Sequence, residues 1–496
     1  MNKQTGTPSP SGSQPTGVTP ETINLAKGKK ARDPRLDFFR GIAMFIILIA
    51  HTSYNSWTLW IPARFGFSDA TETFVFCSGM ASAIAFAGVF DRSGWFMGAA
   101  RVAHRVWQVY WAHICLFLTV ALWLSFIDVV GGHGDFHKTR MNLMNFFERD
   151  TDQQLLGLLS LTYVPNYFDI LPMYIVILIM IPIVMALSKI SPWAVFAFCG
   201  GLWLITNIES WFNWYYQMSS TYFRFPAEPW NHEGWSNWYY NGEIPDEAQT
   251  AFKSREWFFN PFAWQLIFFT GFAFMRGWIP APPVKKWLIA LCIAFIILSL
   301  PTAYFRLFAG EIYDYFGVFD TKPINDWLET TKFIWFNGEL TTATLSEMRA
   351  DMRWLIWKTN FGIFRYLHFL ATAYLAWIAV GAGGKYLISS GLWGKIVKVI
   401  MVVGQQSLAI FLFSMVFAQM LGYTFYPPKG HPFHITAPGS DWRDLHTAII
   451  NLSGIAVLIG VAYLCRWFKS QPWRNKPKVE TQAPSVSKGA MPQPAE

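Results

Sequence analysis

The stretch Arg40-Gly-Ile-Ala-Met-Phe-Ile-Ile-Leu-Ile-Ala-His51 decides the fold class of this chain, because it is an apolar segment that carries two ionisable side chains. An ionisable residue inside a bilayer span costs a few kcal/mol and is by default a candidate functional residue. Eleven helical steps of about 100° bring Arg40 and His51 to within roughly 20° of one direction, about 16 Å apart along the axis. The segment therefore predicts a membrane helix with a cation near one surface and an imidazole much deeper, on the same face.

The rest of the chain repeats this apolar character. Of its 496 residues, 53% are hydrophobic and 14% are charged, and the mean hydropathy is +0.26. A stretch of about 18 to 25 apolar residues can cross a bilayer as a helix. We therefore predict an all-α, polytopic integral membrane protein with about ten transmembrane helices, at residues 36–56, 70–90, 106–127, 169–188, 192–208, 261–280, 284–305, 363–382, 396–423 and 446–467.

The net charge of +8 follows the predicted loops rather than one basic patch. Lysine and arginine precede the first span, follow the last span and occupy the loops between even and odd spans, whereas residues 209–260 are rich in acids. Because basic residues accumulate on the cytoplasmic side, both termini are predicted to be cytoplasmic, which requires an even number of spans. The basic balance thus indicates topology, and we expect no nucleic-acid partner.

These patterns predict a transmembrane domain at residues 33–468, between disordered cytoplasmic tails at 1–32 and 469–496. Long periplasmic loops are predicted near residues 128–168, 209–260 and 306–362. The second loop is rich in tryptophan, which suits a carbohydrate ligand; interfacial belts or packing onto the bundle are the alternatives. Residues 1–30 contain no apolar stretch, so we expect the first span to direct insertion without a cleavable signal. The five cysteines fall in or beside spans without metal-site spacing, so we expect neither disulfides nor a bound metal.

Four motifs carry a resemblance to a known superfamily. Ten residues separate Arg40 from His51, and the second span contains Thr73-Phe-Val-Phe-Cys-Ser-Gly79. The other two stretches are Arg101-Val-Ala-His-Arg-Val-Trp-Gln-Val-Tyr-Trp111 and Gly404-Gln-Gln-Ser-Leu-Ala-Ile-Phe411. Together they resemble the arginine–histidine, FFxxSGF, RxxRIxPxYW and GxxSxxxY stretches of the membrane acyltransferase-3 superfamily. The third stretch lacks the superfamily's proline, and Ser414 stands where a second histidine is often found.

Within that superfamily the chain is similar to the OpgC family, succinyltransferases of osmoregulated periplasmic glucans. The resemblance rests on stretches such as 33–40, 67–79 and 260–271 and covers about residues 33–467. It implies a multi-pass bacterial inner-membrane enzyme that moves an acyl group, succinyl in this family, from cytoplasmic acyl-CoA to a glucan hydroxyl. Acyl-CoA would then be a co-substrate with no bound cofactor, and membrane lipid and the glucan acceptor would be the other partners. The oligomeric state stays open.

The resemblance implies that His51 is the general base. A sugar hydroxyl is a poor nucleophile, and an imidazole with an ordinary pKa near 6.5 can accept its proton. The alternative is an imidazole satisfied by a backbone carbonyl at a helix end. Glu72 or Asp69, at the start of the second span, could hold and orient the ring, with interfacial solvation as the alternative.

Arg40, Arg101 and Arg105 would bind the phosphates of acyl-CoA, because guanidinium groups bind phosphate bidentately and keep their charge when partly buried. Snorkelling to the interface is the alternative for Arg40, and ordinary flanking of a span is the alternative for the other two. Ser78 and Gly79 either permit close helix packing or bind ligand.

Three further polar residues lie in later spans. Arg365 could bind the free carboxylate of a succinyl group, with a structural ion pair to a loop acid as the alternative, and His368 shares its helical face. Gln405 could line a donor tunnel or bridge helices. Among other functions, O-acetylation of another envelope polysaccharide, transport of an organic anion and non-catalytic glycan binding stay open.

Overall fold

The structure is a computed structural model, and it describes residues 33–53, 55–141, 143–148, 151–165, 167–211, 257–303, 326–327, 330–336, 339–425, 441–471 and 473. The helices of these residues are numbered here in chain order: α1 (Pro34–His51), α2 (Ala70–Ser82), α3 (Gly88–Gly131), α4 (Phe136–Arg140), α5 (Met144–Glu148), α6 (Thr151–Leu159), α7 (Ile170–Leu187), α8 (Pro192–Trp211), α9 (Pro261–Arg276), α10 (Lys286–Ala303), α11 (Leu345–Asp351), α12 (Arg353–Ile356), α13 (Ile363–Ala379), α14 (Leu392–Gln405), α15 (Ser407–Phe425) and α16 (Asp441–Ser470). Strands β1 (Phe333–Phe336) and β2 (Leu340–Ala343) pair antiparallel.

Every predicted span overlaps a helix, which confirms the helical class over the described residues. Two spans differ from the prediction in more than their ends. A π-helical turn, Ala83–Ala87, joins α2 to α3, and α3 continues through the predicted gap between the second and third spans, interrupted at Gly94, where φ is 82° and ψ is 174°. The predicted ninth span, 396–423, is two helices, α14 and α15, bent by 87° on either side of Gln406.

Among the described residues, four helical runs are long and apolar enough to cross a membrane, or five if the bent pair α14–α15 forms one span. The four are Ala70–Gly131, Ile170–Leu187, Lys286–Ala303 and Leu445–Ser470. Helix α1 is not in this set because its 18 residues include Arg35, Asp37 and Arg40. The count of ten spans and the sidedness of the termini therefore stay predictions.

Local sequence explains where α1 begins and how closely it packs. Asp33 caps the helix by accepting the backbone N–H of Arg35 at 3.0 Å, and Pro34 occupies the first turn, where a missing N–H costs nothing. Helix α1 packs against α2, α14 and α15. A Cβ added at Gly41 would lie 2.1 Å from the carbonyl oxygen of Ile400, so α1 and α14 touch backbone to backbone.

A second close contact joins α2 to α9. A Cβ at Gly79 would lie 1.9 Å from the carbonyl oxygen of Phe268, and one at Gly271 would lie 2.2 Å from that of Phe76. The packing role predicted for Gly79 is therefore confirmed. Helices α1 and α2, which carry several of the candidate residues, also pack against each other.

Several predictions fall on residues that the structure treats differently or does not describe. The hairpin β1–β2 lies in the predicted loop 306–362 and was not expected in an all-α protein. Helix α16 runs to Ser470, two residues past the predicted domain end. Three predicted segments lie wholly or mostly outside the described residues: the tail at residues 1–32, most of the tail at 469–496, and residues 212–256 of the tryptophan-rich loop.

Candidate functional site

His51 is the last residue of α1, and one ring nitrogen is held by the backbone. Its Nδ1 lies 2.8 Å from the carbonyl oxygen of Ile47. A carbonyl can only accept, so in the neutral imidazole Nδ1 carries the hydrogen and Nε2 carries the lone pair. Within the described residues, Nε2 has no hydrogen-bond partner. The geometry therefore leaves the basic nitrogen of His51 available to a ligand.

Tyr167 packs its ring against His51, which sequence reasoning did not anticipate. The two ring centroids are 5.3 Å apart and the rings are nearly perpendicular, at 81°. The Tyr167 hydroxyl donates to the carbonyl oxygen of Met415 on α15. His51 is thus held on one side by its own helix and on another by a tyrosine that is anchored to a different helix.

Asp69 and Glu72 form the N-terminal cap of α2. Asp69 Oδ1 accepts the backbone N–H of Thr71 at 2.6 Å, and Glu72 Oε2 accepts the backbone N–H of Asp69 at 2.8 Å. This reciprocal arrangement is a capping box. The ring-orienting role expected of these carboxylates is taken by the Ile47 carbonyl, since both are committed to the helix start and to the ion pairs below.

Each of the two carboxylates also pairs with a cation from residues far along the chain. Lys358 Nζ lies 2.5 Å from Asp69 Oδ2, and Arg365 Nη1 lies 2.7 Å from Glu72 Oε1. The Glu72 side chain is fully buried, so its charge requires such a partner. Arg365 therefore forms a structural ion pair, which was the alternative to binding the carboxylate of a succinyl group. Its partner, Glu72, lies in a span rather than in a loop.

The charge of Asp69, which precedes the α2 span, is set by its surroundings. Burial alone would raise the pKa of the Asp69 carboxyl, but Lys358 and Arg365 outweigh burial and lower this pKa below its ordinary value. Asp69 is therefore ionised at neutral pH. The charges of Lys358 and Asp69 also act on the His51 ring, with opposite signs.

His368 anchors the segment that leads into α2. Its Nδ1 accepts the backbone N–H of Ser68 at 3.3 Å and the Ser68 hydroxyl at 2.7 Å, so the ring hydrogen is on Nε2. Its Nε2 is buried beside Gly66 and has no hydrogen-bond partner among the described residues. Arg365 and His368 do share a face of α13, and that face clamps the start of α2.

A second cluster surrounds Arg40 at the other end of α1. The Arg40 guanidinium donates to the hydroxyl of Ser407, the first residue of α15. Gln405 Nε2 donates to Asp37 Oδ2 at 3.1 Å, and Lys469 Nζ donates to Gln406 Oε1 at 2.6 Å. The α14–α15 bend therefore supplies polar groups directly to the first turns of α1, and Gln405 bridges helices.

Arg101 and Arg105 lie on α3, where Arg101 is exposed and Arg105 donates to Gln108 Oε1 at 3.1 Å on the same helix. Helix α3 packs mainly against α7 and also against α15, the helix whose first residue accepts a hydrogen bond from Arg40. A phosphate site shared by these three arginines therefore stays a prediction.

Comparisons with known proteins give one match. A family model described as "OpgC protein" matches residues 32–470. No curated protein and no solved structure matches the chain. The described residues contain no group of three or more histidine, cysteine, aspartate or glutamate side chains that could hold a metal ion.

Proposed function

The chain belongs to the OpgC family, and from that premise we propose that it is a bacterial inner-membrane O-acyltransferase that succinylates osmoregulated periplasmic glucans. The donor is cytoplasmic succinyl-CoA, and the acceptor is a glucan hydroxyl that reaches the bundle from the periplasmic side. Family membership supports acyl transfer on glucans. The proposal goes beyond the family match in three respects: the acyl group is succinyl, the donor is acyl-CoA, and the chain belongs to the wider acyltransferase-3 superfamily.

The observation that carries the mechanism is the hydrogen bond from His51 Nδ1 to the Ile47 carbonyl at 2.8 Å. It directs the lone pair of the neutral ring to Nε2, which then removes the proton of the glucan hydroxyl. The hydroxyl oxygen bonds to the thioester carbonyl carbon and the carbon–sulfur bond breaks. The protonated imidazole returns its proton to the leaving CoA thiolate, so that the base is regenerated.

Arg40 is the proposed cation for the phosphates of the donor. It lies about 16 Å along α1 from His51, at the end that the charge pattern assigns to the cytoplasm. Ser407 holds its guanidinium, which reduces the entropy that phosphate binding would otherwise have to overcome. Arg101 and Arg105 on α3 are proposed as further phosphate contacts.

The test uses purified protein in nanodiscs, supplied with succinyl-CoA and unsubstituted glucan. Wild-type protein should release CoA and add the mass of one succinyl group per substituted glucose. His51→Gln should lower kcat by about 10²- to 10⁴-fold, which is the range for loss of a general base. An equally active His51→Gln protein would remove His51 as the base. An increment of one acetyl group, with acetyl-CoA as donor, would keep the mechanism and replace the acyl group.

One observation favours a second candidate, transport of an organic anion. Helices α14 and α15 are bent by 87° beside Arg40, and transporters commonly form substrate and ion sites at discontinuous helices. Transport predicts movement of labelled succinate into proteoliposomes in the absence of glucan and CoA. Acyl transfer predicts release of CoA that depends on added glucan, with no net flux of succinate.

A further inference from the structure

Tyr167 adopts a backbone conformation that is rare for a side chain of its size. Its φ is +96°, whereas the other described non-glycine residues with positive φ, Leu161, Phe361 and Gln471, have values of 60°, 48° and 45°. Those three lie in or beside the small left-handed region, while Tyr167 lies well outside it. A strained residue of this kind persists only when its surroundings hold it, and such residues cluster at functional sites.

Two contacts hold Tyr167 in this conformation. The next residue, Phe168, is 1% exposed and packs against Phe117 with ring centroids 5.1 Å apart, which fixes the chain direction. On the other side, the Tyr167 hydroxyl donates to the Met415 carbonyl on α15. The strained backbone places the ring between these anchors and against His51.

The His51 ring needs more than its own hydrogen bond to stay in one orientation. Rotation about the Cβ–Cγ bond of histidine is broad and roughly twofold, and a flipped ring would move Nδ1 away from the Ile47 carbonyl. A neutral hydrogen bond biases such an equilibrium by only about fivefold to tenfold. The perpendicular Tyr167 ring at 5.3 Å limits the positions that the imidazole can occupy, which the hydrogen bond alone does not do.

We propose that Tyr167 is a positioning residue, whose ring packs against the His51 imidazole and so stabilises the orientation in which Nδ1 meets the Ile47 carbonyl and Nε2 is directed to the substrate. Its role in catalysis rests on the proposed function, but its effect on the His51 ring does not. The strain at Tyr167 is retained because a relaxed backbone would withdraw the ring from His51.

The experiment compares Tyr167→Phe, Tyr167→Ala and Tyr167→Gly in nanodiscs. Phe keeps the ring, whereas Ala and Gly remove it, and Gly alone tolerates the backbone angle. Phe loses the bond to Met415 but keeps the ring and the Phe168 anchor, so it should keep kcat within about threefold of wild type. Ala and Gly should lower kcat by about 10- to 100-fold with little change in either KM, since a misplaced catalytic group affects the transition state. Gly should nevertheless unfold at a higher temperature than Ala.

The control is Leu161→Gly, which relieves a positive φ in a partly buried residue and should keep wild-type kcat. If Tyr167 had only a structural role, the variant with the lower unfolding temperature would lose more kcat, so Tyr167→Gly would be more active than Tyr167→Ala. That ranking, or an Ala protein within threefold of wild type, would overturn the proposal.

A readout independent of activity separates this inference from the proposed function. Nitrogen-15 spectra of histidine-labelled protein report which ring nitrogen carries hydrogen. The His51 signal is assigned as the one that disappears in His51→Gln. Wild type and Tyr167→Phe should show Nδ1–H alone, and the Ala and Gly variants should show exchange between forms. Inactive wild-type protein with this same spectral pattern would refute acyl transfer and support the positioning role. A single Nδ1–H form in all variants would refute the positioning role whatever the activity.

Discussion

Substitution of Gly404 by alanine is expected to push α1 and α14 apart at the turn that carries Arg40. A Cβ at this position would lie 1.9 Å from the carbonyl oxygen of Asp37 and 2.9 Å from the backbone nitrogen of Gly41. Both atoms belong to the backbone of α1, so no side-chain rotation relieves the clash. The helices must move instead.

The size of the movement follows from the contact distances. Ordinary van der Waals contact begins at 3.4 Å, so the Asp37 carbonyl must retreat by about 1.5 Å. Overpacking of this kind costs typically 1–3 kcal/mol, and the better helix propensity of alanine returns about 0.5–1 kcal/mol. We therefore expect a net loss of about 1–2 kcal/mol in the free energy of unfolding.

The same movement should separate Arg40 from Ser407 and Gln405 from Asp37, because these contacts cross the widened interface. A misplacement of about 1 Å can cost about 10²-fold, so kcat/KM for acyl-CoA should fall by about 10- to 100-fold. Thermal unfolding and acyl-transfer kinetics at varied acyl-CoA measure the two effects on one preparation.

Gly200→Ala is the matched control, because a Cβ at Gly200, also within a helix, meets nothing within 4 Å. It should leave the kinetics unchanged and stabilise the protein by up to about 1 kcal/mol. Wild-type stability and kinetics in Gly404→Ala would refute the close approach of α1 and α14. Equal losses in both variants would show a general effect of alanine rather than a clash.

Three further outcomes are expected. Lys358→Met should lower the free energy of unfolding by about 1–2 kcal/mol, since it leaves the Asp69 carboxylate buried without its partner and the lysine is only partly exposed. Lys358 and Arg365 together lower the pKa of Asp69 in the folded protein, so this ion pair contributes stability above the ordinary Asp pKa of 3.8 and loses that contribution as the pH falls. In chemical unfolding, the difference in unfolding free energy between wild type and Lys358→Met should therefore be constant between about pH 7 and 5 and smaller below about pH 4. Arg40→Lys should raise KM for acyl-CoA about tenfold with little change in kcat, because lysine keeps the charge but loses bidentate phosphate binding; a changed kcat alone would argue against a donor-binding role. Asn55→Ala should cost about 1–3 kcal/mol by leaving the buried Oδ1 of Asn451 without its donor, and the double variant with Asn451→Ala should cost less than the sum of the two single changes in a thermal unfolding cycle.

Some features of the site follow from neighbouring residues alone. The spacing of Arg40 and His51 places them on one helical face in any α-helix. Asp69 and Glu72 have the spacing of a capping box before an apolar run, a signal that could have predicted their use at the start of α2. A carboxylate used in the capping box is less available to orient His51, so the two interpretations of Asp69 and Glu72 conflict.

Other features carry no local signal. Lys358 lies in a predicted loop, and nothing in its neighbourhood indicates a partner 289 residues away. Tyr167 is an ordinary interfacial aromatic in the sequence, and its φ of +96° arises from anchors on two other elements.

What the sequence by itself determined is therefore local and periodic: the apolar helices, the cap of α1 at Asp33 and the common face of Arg40 and His51. These depend on hydropathy, helix geometry and residues within a few positions of one another. Only the tertiary structure decided the partners, because Arg40 with Ser407 spans 367 residues and Arg365 with Glu72 spans 293. Such pairs form where packing brings helices together, and here the glycines of α1 and α14 allow that close packing. No short-range preference specifies which helices meet.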